Sequence, residues 1–158
     1  MDWLAAIEAS AIAQAMRHSL WLYPIVEIFH IAGFVVLVGA VAMFDLRLLG
    51  ISKHLPLSAL AGHLLPWSAG ALLVVVPAGL MMFSAHATEF AGNSAFRLKL
   101  ALIAAAAINA AVFHLGVFRS VPAWDTQVAS PIAARAAGAL SLALWAGVIA
   151  CGRLLAYL

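Results

Sequence analysis

The sequence predicts an all-α integral membrane protein, a four-helix bundle preceded by a short N-terminal interfacial helix. Of its 158 residues, 66% are apolar and only 9% are charged, and the mean hydropathy is +1.10. Soluble domains carry roughly 45–50% apolar and about 25% charged residues. Because one membrane span needs roughly 20 apolar residues, a chain of this length holds about four spans. We therefore expect one membrane domain, residues 1–158, with no separate soluble catalytic domain.

The N-terminal segment, residues 2–18, is too short to span a membrane and carries polar residues at intervals. Trp3, Leu4, Ile7 and Ile12 recur at helical spacing, which gives the segment one apolar face. A helix of this kind lies along the lipid headgroups. No basic stretch precedes the apolar residues, so the pattern is not that of a cleaved signal peptide.

Four apolar stretches follow, and they predict spans at about residues 19–49, 57–84, 95–117 and 132–158. Pro66 and Pro77 fall inside the second span, where each can kink the helix and free a carbonyl. An even number of spans puts the two chain ends on one side. The Lys and Arg residues near the span ends are balanced between the two sides, so the positive-inside rule assigns no orientation.

The basic isoelectric point, near 9.1, has the same origin. Cationic residues scattered at helix ends anchor spans in the membrane, and they do not indicate nucleic-acid binding. The single cysteine, Cys151, excludes an internal disulfide framework and cannot alone form a thiolate metal site.

The first span holds the most informative residues, because Glu27 and His30 stand inside a membrane-length apolar run. An ionisable side chain at the centre of the bilayer costs at least about 2.5–3.5 kcal/mol, so such residues usually mark a site. Their spacing places both side chains on one helix face. Gly33 follows one turn later and leaves room beside the imidazole for a flat ligand or for another backbone.

Further histidines lie at matching depths in other spans. At 1.5 Å per residue, His63 and His114 each lie roughly 9 Å from the same membrane side, so we expect them to face one another. His30 and His86 form a second, looser pair near the opposite side. Met81 and Met82 are alternative soft ligands near His30.

These pairs predict one or two haem b groups. A low-spin b-type haem takes two axial side chains from facing helices and needs small residues around them for the edges of the macrocycle. The candidate cofactor-binding residues are His63, His114, His30 and His86. Basic residues at the span ends, Arg47 among them, can pair with the haem propionates.

Other interpretations stay open. Glu27 with His30, and His86 with Glu89, are carboxylate–imidazole pairs of the kind that binds non-haem iron, copper or zinc. A metal site would use His30, His63, His114, His86 and Glu27. Glu27 could also orient His30 or relay protons. A third alternative is a structural subunit without a cofactor, in which each histidine only bonds a neighbouring helix.

Four stretches carry a resemblance to known families: YPIVEIFHIAGFVVLVGAVAMFDLRLLG, LLPWSAG, NSAFRLKLALIAAAAINAAVFH and LWAGVIACGRLLAYL. Together they resemble an uncharacterised family of four-helix bacterial inner-membrane proteins, a domain of unknown function. The entry to the third span, with Phe96, Lys99 and Leu100, also resembles the copper-resistance D proteins and, more loosely, the cytochrome b561-like electron carriers. The fourth span departs from the latter because it has no histidine.

The resemblance implies haem-mediated electron transfer or copper handling in the bacterial inner membrane. We expect a multi-pass electron-transfer subunit rather than a stand-alone enzyme. It would pass electrons between a quinone or another redox donor and a membrane or periplasmic partner protein. A homo-oligomer is a further possibility.

Overall fold

The computed structural model describes residues 2–155 and 157. These residues form helices joined by short connections, with no strand among them. The helices are α1 (Asp2–Glu8), α2 (Ala11–His18), α3 (Leu22–Leu48), α4 (Leu57–Ala85), α5 (Ala87–Gly92), α6 (Ser94–Leu115) and α7 (Ile132–Leu154), with a short 3-10 helix at Val117–Ala123 between α6 and α7.

Helices α3, α4, α6 and α7 are long and apolar enough to cross a membrane, with 27, 29, 22 and 23 residues. The predicted four-helix fold is therefore confirmed, and each observed helix begins within three residues of the predicted span. The last span was predicted to reach residue 158, whereas α7 ends at Leu154. Residues 1, 156 and 158 of the predicted domain lie outside the described part of the chain.

The predicted N-terminal helix is present, but it is divided into α1 and α2. Ser10 interrupts it with an extended backbone, and its hydroxyl accepts the Ala13 N–H at 3.3 Å. Met16 in α2 is buried against Val26 of α3 and Ala85 of α4. The segment therefore packs on the bundle as well as presenting an apolar face.

Hydrogen bonds tie this N-terminal segment to the connection after α4. The Glu8 carboxylate accepts the Thr88 N–H at 2.8 Å and the Thr88 hydroxyl at 2.6 Å. These bonds, the hydroxyl's first, hold the pKa of Glu8 below its usual value. Arg17 donates to the Ala85 carbonyl at the end of α4 at 2.8 Å, a position where a cation also favours the helix dipole.

The four long helices pack in the order α4–α3–α7–α6. No Cα atom of α4 lies within 8 Å of one in α6 across the described residues, so the bundle is open along that side. Side chains bridge the opening at one end, where Phe96 of α6 stacks on Phe83 of α4 and on Phe90 of α5, each with ring centroids 5.5 Å apart.

Glycines allow the closest helix contacts. A Cβ added to Gly33 would lie 2.9 Å from Val75 Cγ2 of α4. Gly33 therefore makes room for another helix, which is one of the two roles expected for it. A Cβ added to Gly138 of α7 would lie 3.1 Å from both the Asp45 carbonyl oxygen and Leu48 Cβ of α3.

Buried Arg47 organises the end of the bundle where α3 leaves the membrane. Its guanidinium donates to the Leu55 and Asp125 carbonyl oxygens, each at 2.8 Å, and to that of Lys53 at 3.4 Å. The side chain is 2% exposed. Its Nε and Nη2 donors therefore hold two loops together, whereas Nη1 has no hydrogen-bond partner among the described residues. The pairing of Arg47 with a haem propionate stays a prediction.

Candidate functional site

Two neighbouring cavities lie along the open side of the bundle, and Ile103 of α6 lines both. We call the first the His30 cavity; it is also lined by Phe34, Gly79, Met82, Phe83, Phe90, Phe96 and Lys99, among others. We call the second the Asp45 cavity; it is also lined by Leu64, Ser68, Asn109, His114, Ser141 and Trp145, among others.

The His30 cavity has a volume of about 420 Å³, within the roughly 300–1,000 Å³ typical of cofactor sites. Phenylalanine rings from α3, α4, α5 and α6 form much of its wall. Stacked rings and an otherwise largely apolar wall give a space suited to a flat, apolar molecule.

The orientation of His30 is defined by a hydrogen bond to the facing helix. Its Nδ1 lies 3.0 Å from the Val75 carbonyl oxygen of α4. A carbonyl only accepts, so Nδ1 carries the proton, and the lone pair of the neutral ring is on Nε2. A histidine that ligates a metal almost always donates its other ring N–H in this way.

Local features of α4 allow this contact. Pro77 cannot donate the usual helical hydrogen bond to the Leu73 carbonyl, which loosens the turn that contains Val75. Gly79 lies beside the imidazole, and a Cβ there would be 3.1 Å from His30 Cε1. The ring therefore packs directly against the α4 backbone.

Glu27 does not hold the His30 ring, as one interpretation of the sequence expected. The Val75 carbonyl occupies Nδ1, and the described structure has no hydrogen bond between Glu27 and His30. Glu27 is exposed on the surface of α3, one turn before His30. The two side chains share a helix face, as predicted, but a backbone carbonyl orients the imidazole.

Met82 and Lys99 also line the His30 cavity, the first on α4 and the second on α6. Met82 brings a thioether, a known axial ligand of haem iron. His86, the expected second ligand, does not line this cavity. It is exposed, and its Nδ1 lies 3.6 Å from a Glu89 carboxylate oxygen. The predicted His86–Glu89 pair therefore exists, at the surface.

The Asp45 cavity, of about 250 Å³, contains His114 but not His63. His114 Nδ1 donates to the Ala110 carbonyl at 2.8 Å, and its Nε2 is buried without a hydrogen-bond partner. His63 is exposed on α4. The structure does not bring these two histidines together around a cavity, so their pairing stays a prediction.

Sequence reasoning did not single out Asp45. It is 4% exposed, and its Oδ2 has no hydrogen-bond partner. Ser141 of α7 lies beside this carboxyl. The signal in the sequence was the position of Asp45, about one helical turn before the end of α3. In the structure α7 covers this position.

Within residues 2–155 and 157, no three His, Cys, Asp or Glu side chains lie close enough together to hold a metal ion. In comparisons with known proteins, no family model, curated protein or solved structure matches the chain. Any functional interpretation therefore depends on the geometry of the two cavities.

Proposed function

We propose that the protein is a multi-pass membrane electron-transfer subunit of the bacterial inner membrane that binds one haem b in the His30 cavity. The observation that carries the proposal is the 3.0 Å contact between His30 Nδ1 and the Val75 carbonyl. It leaves the Nε2 lone pair for a ligand in a residue that lines an aromatic cavity of about 420 Å³.

Three side chains of the cavity would bind different parts of the haem. His30 would bind the haem iron through Nε2, and Met82 would supply a thioether as a second ligand. The Lys99 ammonium suits the haem propionates, since a cation favours carboxylates at short range. The phenylalanine rings would exclude water from the macrocycle. Bound haem would supply a one-electron couple between a quinone or other donor and a membrane or periplasmic partner protein.

The cavities favour one haem over two. The Asp45 cavity, about 250 Å³, is below the usual size of a cofactor site. Its histidine also has no second histidine facing it across the cavity. His63 and His86 are therefore not assigned as ligands in this proposal.

The test is the absorption spectrum of the protein purified from haem-sufficient cells, oxidised and then reduced with dithionite. We expect a Soret band and a reduced α-band typical of b-type haem. His30→Ala should abolish both bands, because it removes the nitrogen ligand. His63→Ala is the matched control and should leave the spectrum unchanged, since His63 is exposed and does not line either cavity.

Met82→Leu separates ligation by the thioether from general packing. The substitution conserves volume, so haem should stay bound while its absorption spectrum shifts, because the thioether ligand is lost. A colourless wild-type protein, or a His30→Ala protein with full haem content, would contradict the proposal. Stoichiometric copper without iron in elemental analysis would favour the copper-handling alternative, in which the Met82 thioether and His30 would hold Cu(I).

A further inference from the structure

The Asp45 cavity has a chemistry different from that of the His30 cavity. Asp45, from α3, is more than nine-tenths buried, and Ser141 of α7 lies beside it. His114 and Asn109 of α6 line the same space, together with Ser68 of α4. Polar side chains from all four long helices therefore meet in one cavity inside an otherwise apolar bundle.

Two buried atoms of these residues have no hydrogen-bond partner, Asp45 Oδ2 and His114 Nε2. His114 Nε2 is an acceptor, because Nδ1 carries the ring proton and donates it to the Ala110 carbonyl. Asp45 Oδ2 is an acceptor when the carboxyl is ionised. No hydrogen bond links the two atoms in the described structure. A buried polar atom left unpaired costs about 1–3 kcal/mol, so both atoms call for a donor from outside the chain.

Two other polar side chains of the cavity donate hydrogen bonds to backbone carbonyls of the bundle. The Ser68 hydroxyl donates to the Leu64 carbonyl at 3.1 Å, and the Asn109 amide donates to the Ala137 carbonyl at 3.0 Å. A ligand that fits this cavity would therefore provide hydrogen-bond donors, together with a positive charge next to the Asp45 carboxyl. A protonated amine provides both in one group.

The rest of the wall is apolar and includes Leu37, Leu64 and Trp145. Such a wall suits a hydrocarbon body but offers little to a bare inorganic cation. The volume of about 250 Å³ exceeds the roughly 150 Å³ that accepts a benzene-sized guest. The space is therefore large enough for an amine carried on a small apolar group.

We infer that the Asp45 cavity binds a small organic amine as its ammonium ion, with the N–H groups donating to Asp45 Oδ2 and His114 Nε2. The apolar body of the amine lies against the leucine and tryptophan side chains. This site is separate from the haem proposed for the His30 cavity, and neither depends on the other.

The test is calorimetric titration of the protein in lipid nanodiscs, with empty nanodiscs subtracted. The probes are benzylamine, benzyl alcohol and benzyltrimethylammonium, which share an apolar body. Only benzylammonium combines charge with N–H donors. We expect it to bind about 10- to 100-fold more tightly than either analogue, the range that hydrogen bonds to a charged group give.

Asp45→Asn keeps the shape of the side chain and removes the charge. It should weaken benzylamine binding about 10-fold or more while leaving thermal stability equal or higher, because an unpaired buried carboxylate is itself costly. Glu89→Gln, the same change at an exposed position, is the control and should leave binding unchanged.

Two results would overturn the inference. One is equal affinity for benzylamine and benzyl alcohol in the wild-type protein, a comparison that needs no variant to fold. The other is undiminished benzylamine affinity in folded Asp45→Asn. In either case the unpaired acceptors bind only water.

Discussion

Asp125 shows how one loop carboxylate positions a membrane helix. Its Oδ1 accepts the Ser58 N–H at 2.7 Å, and its Oδ2 accepts the Ser58 hydroxyl at 2.7 Å. The residue comes from the loop before α7, whereas Ser58 is in the first turn of α4. A carboxylate at a helix N-terminus satisfies backbone donors that have no partner within the helix. Asp125 therefore connects two elements that are far apart in the sequence.

The same hydrogen bonds predict an acid-dependent loss of stability. The Ser58 N–H, and next its hydroxyl, hold the pKa of Asp125 below its ordinary value of 3.8. Because the pKa is lower in the folded state, this stabilisation is complete above pH 3.8 and is lost as the pH falls through the folded value. Asp125→Asn should lower Tm by about 2–4 °C at neutral pH, roughly the effect of one cap.

The measurement is Tm against pH for wild type, Asp125→Asn and Ser58→Ala. The difference between wild type and Asp125→Asn should shrink as the pH falls below 3.8 and vanish below the lower pKa of the folded wild-type protein, where its carboxyl becomes protonated. Ser58→Ala removes only the hydroxyl donor, so its acid dependence should be intermediate. A difference that stays constant down to low pH would show that the carboxylate contributes no charge-dependent stability.

At the level of single residues, the sequence indicates a candidate ligand residue, but it does not indicate the contacts that orient that residue. His30 stands out because an imidazole within an apolar run is costly and therefore conspicuous. Its partner, the Val75 carbonyl, is a backbone atom that no residue type identifies. The partners of Arg47 were not predictable for a similar reason, because they are carbonyl groups of two loops. Such contacts depend on tertiary structure and leave no pattern in the sequence.

At the scale of helices, glycine decides which pairs approach closely. A Cβ added to Gly138 on α7 would lie only 3.1 Å from the Asp45 carbonyl oxygen and from Leu48 Cβ of α3, so there is little space for a side chain. Gly62 on α4 has nothing within 4 Å of an added Cβ and is exposed. The same residue type therefore has a packing role at one position and none at the other.

Alanine substitutions at these two glycines should have opposite effects. Gly138→Ala should destabilise the protein by about 1–3 kcal/mol, because the new methyl group meets a backbone oxygen and a Cβ that cannot move aside. Gly62→Ala should be neutral or stabilising by up to about 1 kcal/mol, since alanine favours the helix.

Denaturant unfolding in the same detergent, with Gly62→Ala as the control for helix propensity, measures both effects. If Gly138→Ala proved as stable as Gly62→Ala, the close contact between α3 and α7 would be incorrect.

The long helices were predictable to within a few residues because hydropathy and length alone define a span. The division between α1 and α2 was not predicted, although Ser10 is a residue type favoured at helix starts. The segment was interpreted through its apolar periodicity, which continues across the break. The helix breaks at Ser10 because its hydroxyl accepts a backbone N–H of α2 and so stabilises a new helix start there.

At the scale of the molecule, four spans place the α3–α4 connection and the α4–α6 connection, which contains α5, on opposite sides of a membrane. Ser52 and Glu89 are exposed in these connections. We expect Ser52→Cys and Glu89→Cys proteins to react with a membrane-impermeant maleimide from opposite sides. Intact cells should show labelling of one variant only, and permeabilised cells should show both. Native Cys151 is buried and provides the unlabelled background; equal labelling of both variants in intact cells would contradict the four-span topology.

The order of helices around the bundle could not be predicted from the sequence. All four spans are apolar on every side, so hydrophobic periodicity does not distinguish the face toward lipid from the face toward a neighbour. Packing within a membrane depends on small residues and on polar contacts between helices. Both kinds of residue are spread over all four spans, and only the folded structure shows which of them meet.

Because no Cα atom of α4 lies within 8 Å of one in α6 among the described residues, we expect a solute dissolved in the lipid to reach the cavities through the space between these two helices. Exposed side chains such as Val76, Leu80 and Leu100 form the rim of the His30 cavity. A hydrophobic molecule would enter sideways from the bilayer without first crossing water. Its occupancy would then follow its concentration in the membrane, so the apparent dissociation constant, expressed per volume of buffer, should change in proportion to the amount of lipid in the sample.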